Sequence, residues 1–151
     1  MKALKVLLGI VLGIILILVL LLVVAFVYVD KLAKNGVEDG ATYALAVPTT
    51  LDSADVGVFD GTFKMQGLEI ANPEGYDSPF FLRLESGGVE VSLQSLLDDV
   101  VQLPSLTLTN LDVHIDGVTG TSNVKKILEN LKEFEAKLPA PEREPKKFVV
   151  D

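Results

Sequence analysis

The first part of the chain is almost entirely apolar. No charged residue occurs from Val6 to Val29, and a helix of that length would rise about 36 Å at 1.5 Å per residue. That exceeds the roughly 30 Å hydrocarbon core of a bilayer, so the pattern predicts an uncleaved transmembrane helix within residues 1–30. A cleavable signal peptide is the alternative, but it would have a shorter apolar region and an A-x-A-like site, which is missing around Ala25.

The charges beside this segment predict its orientation. Lys2 and Lys5 are the only charged residues before Asp30, so the positive-inside rule places the N-terminus in the cytoplasm and the rest of the chain outside it. Residues 31–46 contain Gly36 and Gly40. Because each glycine costs about 1 kcal/mol in a helix, we expect at best a broken juxtamembrane helix there.

After Pro48 the apolar residues alternate with polar ones, which is typical of half-buried β-strands. The sequence Phe59-Asp60-Gly61 predicts a hairpin turn. The alternation changes parity near Gly67, near Gly87-Gly88 and near Thr109-Asn110, so we expect bulges or bends that keep one apolar face on a curved antiparallel sheet. The positions predicted to form this face are Phe63, Met65, Leu68, Ile70, Leu82, Leu84, Val89, Val91, Leu106, Leu108, Val113 and Ile115.

A second helix is predicted near the end of the chain. Apolar residues recur at 3.6-residue spacing from Asn123 to Lys137, and Ser122 or Asn123 can cap the helix. Its apolar stripe needs a surface to cover, and the sheet face is the expected one. Ser95-Leu96-Leu97-Asp98 fits a capping box that opens one helical turn, and a loop is expected at residues 72–76.

The whole chain therefore predicts an α+β fold: an N-terminal transmembrane helix, then a curved antiparallel sheet of about five strands with a covering C-terminal amphipathic helix. The predicted divisions are a membrane anchor at 1–30, a juxtamembrane segment at 31–46, a β-rich domain at 47–138 and a Pro- and charge-rich tail at 139–151. The tail ends in Phe148-Val149-Val150. This segment is either an added edge strand or the beginning of a following repeat.

Composition narrows the possible functions. After Val29 the chain has 11 basic and 21 acidic residues, a net charge of −10, which disfavours binding to nucleic acid or to a strongly anionic surface. No cysteine is present. Asp112, His114 and Asp116 alternate and could begin a metal site, but the wet face of a strand is the simpler interpretation. We expect no catalytic, cofactor or metal site, and no enzyme activity.

Gly9 and Gly13 form a G-x-x-x-G spacing within the apolar segment. This spacing allows two membrane helices to pack closely, so it makes the two glycines a candidate site for pairing with a membrane protein or with a second copy. The alternative is that the glycines are tolerated small residues facing lipid.

The order of these segments resembles the N-terminal part of the AsmA-like family. The likeness rests on the membrane helix, Ala46-Val47-Pro48, the segment from Gly61 to Tyr76 (GTFKMQGLEIANPEGY), residues 82–97, and Gly120-Thr121-Ser122-Asn123 opening a helix. The resemblance implies a bacterial inner-membrane anchor, a periplasmic domain, and a role in envelope assembly or lipid movement. It implies membrane lipid as partner and supplies no catalytic residues.

Two functions follow as expectations. The first is an AsmA-like periplasmic protein that handles lipid or assists envelope biogenesis, with acyl chains on the apolar face. The second is a non-enzymatic accessory or scaffold subunit of a larger inner-membrane complex. The two differ in what occupies the apolar sheet face, which is lipid in the first case and protein in the second.

Overall fold

The computed structural model describes residues 2–118, 120–139 and 147–150. It confirms the α+β fold, with a long apolar N-terminal helix, a five-stranded antiparallel sheet and a C-terminal helix. The elements are α1 (Lys2–Leu45), β1 (Thr49–Thr50), β2 (Ser53–Gly57), β3 (Thr62–Ile70), β4 (Leu82–Glu90), a 3-10 turn (Gln94–Leu97), β5 (Val100–Leu103), β6 (Ser105–Val113), β7 (Gly117–Val118), β8 (Thr121–Ser122), α2 (Asn123–Lys137) and β9 (Lys147–Val150).

Helix α1 is one unbroken helix, so the broken juxtamembrane segment expected at residues 31–46 is wrong. Its continuation past Gly36 and Gly40 is supported by contacts with β1 and β2, which outweigh the weak helix propensity of the glycines. The helix ends where Ala46 adopts a left-handed φ of 52° just before Val47-Pro48. Among the described residues, it is the one helix long and apolar enough to cross a membrane.

The C-terminal part of α1, after the uncharged segment, covers one edge of the sheet. Strands β1 and β2 both pair with β3, and the order continues through β4 to β6. The Asp30 carboxylate accepts a hydrogen bond from Val56 N at 2.8 Å, and the Glu38 carboxylate accepts one from Leu51 N at 2.8 Å. Side chains of α1 thus satisfy backbone groups that the edge strands would otherwise expose.

Helix α2 begins as predicted, since the Ser122 Oγ accepts a hydrogen bond from Lys125 N at 3.2 Å. It packs beside α1: the Asn130 amide donates to the Leu45 carbonyl at 2.7 Å, and the Phe134 ring meets Tyr43 edge-on at 5.6 Å. These contacts show that α2 runs antiparallel to α1. Its principal contacts among the described residues are with α1 and β8, and not with the strands of the main sheet.

Two smaller two-stranded sheets complete the fold, one formed by β5 and β9 and the other by β7 and β8. Strand β9 pairs in parallel with β5 in a separate two-stranded sheet, which agrees with the edge-strand alternative for residues 148–150. Residues 140–146 of the predicted tail lie outside the described residues. The capping box at Ser95 is wrong, because the Ser95 Oγ donates to the Ser92 carbonyl and accepts from Gln102 N, closing the loop around the 3-10 turn.

Candidate functional site

One row of irregular positions crosses the main sheet and determines which side chains share a face. Gly67 and Asn110 have positive φ values of 64° and 51°, and the same row passes through Glu85, the position skipped in the pairing of β4 with both neighbours. The pairing register is the same on either side of the row, so each strand carries one extra residue at the same level. The result is a bend shared by β3, β4 and β6.

This shared bend confirms the prediction that the parity changes preserve one apolar face. A Cβ built on Gly87 would lie 2.9 Å from Met65 Cε and 3.1 Å from Leu84 Cδ2, so Met65 and Leu84 lie on the same side. Leu68 is the cross-strand partner of Leu84 and lies there too. The cross-strand rows of the face are Phe63, Val89 and Leu106; Met65, Gly87 and Leu108; Leu68, Leu84 and Leu111; and Ile70, Leu82 and Val113.

Of the two predicted alternatives, the parity changes are bends and not bulges, and the placement of one at Gly87-Gly88 is wrong. A bulge would shift the register between neighbouring strands, whereas here every strand gains a residue. In β4 the extra position is Glu85. Gly87 instead provides space, because any Cβ there would press on Met65 and Leu84.

The apolar face is covered on one side and open on the other. Leu51, next to α1, is 2% exposed, and Leu84 in the middle of the sheet is also buried. Seven of the predicted face residues on or next to β3 and β4 are half-buried. They are Phe63, Met65, Leu68, Ile70, Leu82, Val89 and Val91.

Along β6 the same face is exposed. Leu108 is 53% exposed, and the side chains in the other rows on this strand are similarly open. Helix α2 therefore leaves this part of the predicted face uncovered. We call these exposed residues the β6 stripe: Leu106, Leu108, Leu111, Val113 and Ile115.

The opposite face of the sheet is polar. Arg83 Nη2 lies 2.5 Å from the Glu69 carboxylate on the neighbouring strand, and Thr107 and Thr109 are exposed on β6. Asn110 donates a hydrogen bond to the Glu85 carboxylate. The two faces of β6 are therefore chemically distinct, although both are accessible.

A hydrogen-bonded corner closes the end of the sheet that lies farthest from the apolar segment of α1. Asn123 is fully buried, and its amide donates to the His114 carbonyl at 2.7 Å and to the Asn72 side chain at 3.0 Å. Its oxygen accepts from Asp116 N at 3.0 Å and Val124 N at 2.8 Å. This residue ties α2 to the end of the sheet.

The Asp112, His114 and Asp116 side chains do not surround a common point. The Asp116 carboxylate accepts bonds from the Ser78 hydroxyl at 2.7 Å and the Ser78 backbone N–H at 2.8 Å, which lower its pKa below the ordinary value. The His114 ring stacks on Phe80 at 4.3 Å. In the described part of the chain, no group of three ligating side chains could hold a metal ion.

The candidate helix-pairing glycines lie on an open surface of α1. A Cβ built on Gly9 or on Gly13 would have no atom within 4 Å among the described residues, apart from the backbone of the helix itself. This leaves room for close approach of a second helix, so pairing stays a prediction.

Sequence reasoning identified the residues of the face but not which of them are open. That distinction depends on strand order and on the position of α1, and neither follows from local periodicity. Comparisons of the chain with protein-family models, curated proteins and solved structures give no match.

Proposed function

We propose that this chain is an inner-membrane-anchored periplasmic protein of the AsmA-like type, and that its sheet holds lipid acyl chains against the β6 stripe. The observation that carries the proposal is the unequal covering of one continuous apolar face, buried beside α1 and open along β6. Contiguous exposed apolar surface is typical of sites that bind lipid or protein.

Two further features support the membrane setting. The apolar segment of α1 is long enough to span a bilayer, and Lys2 and Lys5 before it favour a cytoplasmic N-terminus. A reporter that is active only in the cytoplasm, fused after Pro139, should be inactive. Activity of that fusion would contradict the periplasmic placement.

Native mass spectrometry of the detergent-extracted full chain tests lipid binding. We compare the wild type with a Leu108→Asn, Leu111→Asn variant, and with a Thr107→Asn, Thr109→Asn control on the opposite face of β6. All four positions are exposed, so the substitutions should preserve the fold. Lipid bound to α1 should be the same in all three proteins. Any difference in the number of bound lipids therefore reports on the apolar face of β6.

The expected result is fewer bound phospholipids in the leucine variant and an unchanged number in the threonine control. Equal lipid binding by all three proteins would contradict the proposed use of the β6 stripe.

The accessory or scaffold function is the second candidate, and the outer backbone edge of β6 favours it. Strand β6 is at the end of the main sheet order, so its outer N–H and C=O groups could pair with a strand from another protein. The same mass spectra distinguish the two functions, because a protein adduct lost from the leucine variant would favour the scaffold.

A further inference from the structure

The hairpin between β2 and β3 reaches back to the apolar segment of α1. The Phe59 ring at its tip stacks on Phe26, with ring centroids 5.1 Å apart and an angle of 23° between the planes. Phe26 precedes Asp30 by four residues, about 6 Å along the helix axis. Phe59 therefore lies beside the uncharged segment, on the membrane side of the first acidic residue.

Contacts along α1 fix the direction of this hairpin. The Asp30 carboxylate holds Val56 N at 2.8 Å, and Glu38, two turns farther from the uncharged segment, holds Leu51 N at 2.8 Å. Strand β2 therefore runs toward the membrane from Leu51 to Gly57. The tip that follows Gly57 must point the same way.

A second apolar segment is positioned at this end of the sheet. Val91 N donates to the Gly61 carbonyl at 2.8 Å, and a Cβ on Gly61 would lie 3.1 Å from Leu93 Cδ2. The 3-10 turn follows Leu93, and Leu97 at its end is 92% exposed. Phe59 is 78% exposed. The contact between Gly61 and Leu93 brings the two segments side by side, and we call their exposed apolar residues the tip patch: Val58, Phe59, Leu93, Leu96 and Leu97.

We propose that the tip patch inserts into the interfacial layer of the same bilayer that α1 crosses. The inference rests on the proposed membrane anchoring. Because Phe59 stacks on a residue of the uncharged segment, the medium around Phe26 also surrounds Phe59. The domain is then held at the membrane by α1 and by the tip patch, and the end of the sheet that carries the tip patch lies at the lipid surface.

The charges at this end restrict the kind of surface that fits. Asp60 adjoins Phe59, and Asp98 and Asp99 follow the 3-10 turn, all three exposed. Carboxylates at headgroup level are repelled by anionic lipid, so the patch suits a bilayer surface of zwitterionic phospholipid. Exposed leucine and phenylalanine side chains gain free energy by leaving water for the acyl boundary.

Single-tryptophan variants test this insertion, because the chain contains no tryptophan. The variants are Phe59→Trp and Leu97→Trp in the tip patch, Leu20→Trp within the uncharged segment, and Glu74→Trp in the loop at the far end of the sheet. Glu74 is exposed and lies outside both the tip patch and the β6 stripe, so it serves as the matched control. Each full-length variant is reconstituted in phosphatidylcholine vesicles containing lipid brominated either near the headgroup or near the bilayer centre.

We expect Leu20→Trp to be quenched strongly. Phe59→Trp and Leu97→Trp should be quenched at least twofold more than Glu74→Trp, and more by the shallow bromine than by the deep one. If either tip variant is quenched no more than Glu74→Trp while Leu20→Trp is quenched, the insertion is wrong and the anchor stands. If Leu20→Trp is not quenched, the proposed anchoring itself is wrong.

Discussion

Gly67 should be sensitive to any substitution that adds a side chain. Its φ of 64° is unfavourable for an L-residue, and a left-handed conformation costs about 1–2 kcal/mol. A Cβ there would also lie 2.0 Å from Asp52 Oδ2 and 2.8 Å from Asp52 Cβ. Displacing a neighbour of this kind adds about 1–3 kcal/mol. Gly67→Ala should therefore lower the free energy of unfolding by about 2–5 kcal/mol.

Gly75 provides the matched control. Its φ is 91°, but a Cβ there would have no atom of the described residues within 4 Å. Gly75→Ala should therefore show only the backbone cost, about 1–2 kcal/mol. Gly67→Ala in an Asp52→Gly background should fall to the same value, because the side chain that the new methyl group meets has been removed.

Urea unfolding of the full chain in detergent micelles, followed by circular dichroism, gives these free energies. A loss from Gly67→Ala no larger than that from Gly75→Ala would show that the new methyl group adds no steric cost at position 67. Failure of Asp52→Gly to reduce the loss would show that the contact with Asp52 is not its cause.

Two further predictions concern the corner and acid stability. Asn123→Ala leaves several buried groups unpaired and should lower the free energy of unfolding by about 3 kcal/mol or more in the same urea titration. Ser122→Ala removes only the helix cap and should lower it by about 1 kcal/mol. Equal losses would contradict the assigned role of Asn123. The Ser78 bonds that lower the pKa of Asp116 stabilise the fold above the ordinary carboxyl pKa, and this stability is lost as pH falls through the lowered value. Wild type should thus lose more stability than Asp116→Asn on acidification below about pH 4; parallel losses would count against this.

The acidic side chain of Glu38 illustrates a contact that the sequence did not predict. Hydrogen bonds from Lys34 and from the Leu51 backbone N–H hold the pKa of the Glu38 carboxyl below its ordinary value. The i, i+4 spacing of Lys34 and Glu38 suggests a helix. The partner at Leu51 follows only when α1 lies along the sheet edge, which periodicity does not encode.

The bend in the sheet could be predicted in part. The parity change near Gly67 and the need for a left-handed residue are local features, so the position was predictable from sequence. In β4 the two glycines predict a bulge or bend at Gly87-Gly88, although the extra position is Glu85. A larger residue at position 87 would press on Met65 of the neighbouring strand. Such a constraint between residues far apart in the chain does not appear in local alternation.

The candidate site shows the same division between local and long-range information. Alternation identified the apolar residues, because side chains two apart in a strand share a face. Whether Leu108 is open depends on β6 lying at the end of the strand order and on α2 packing beside α1. Both depend on contacts between segments far apart in the chain.

Site-specific photocrosslinking shows whether lipid contacts the β6 stripe. A photoreactive phenylalanine analogue replaces Leu108 on the β6 stripe or its neighbour Thr107 on the polar face, and both residues are exposed. After irradiation of the full-length protein in its native membrane, phospholipid adducts are measured by mass spectrometry. We expect adducts at position 108 and at most traces at position 107. Equal adducts at the two positions, or protein adducts alone at position 108, would contradict lipid binding by the β6 stripe.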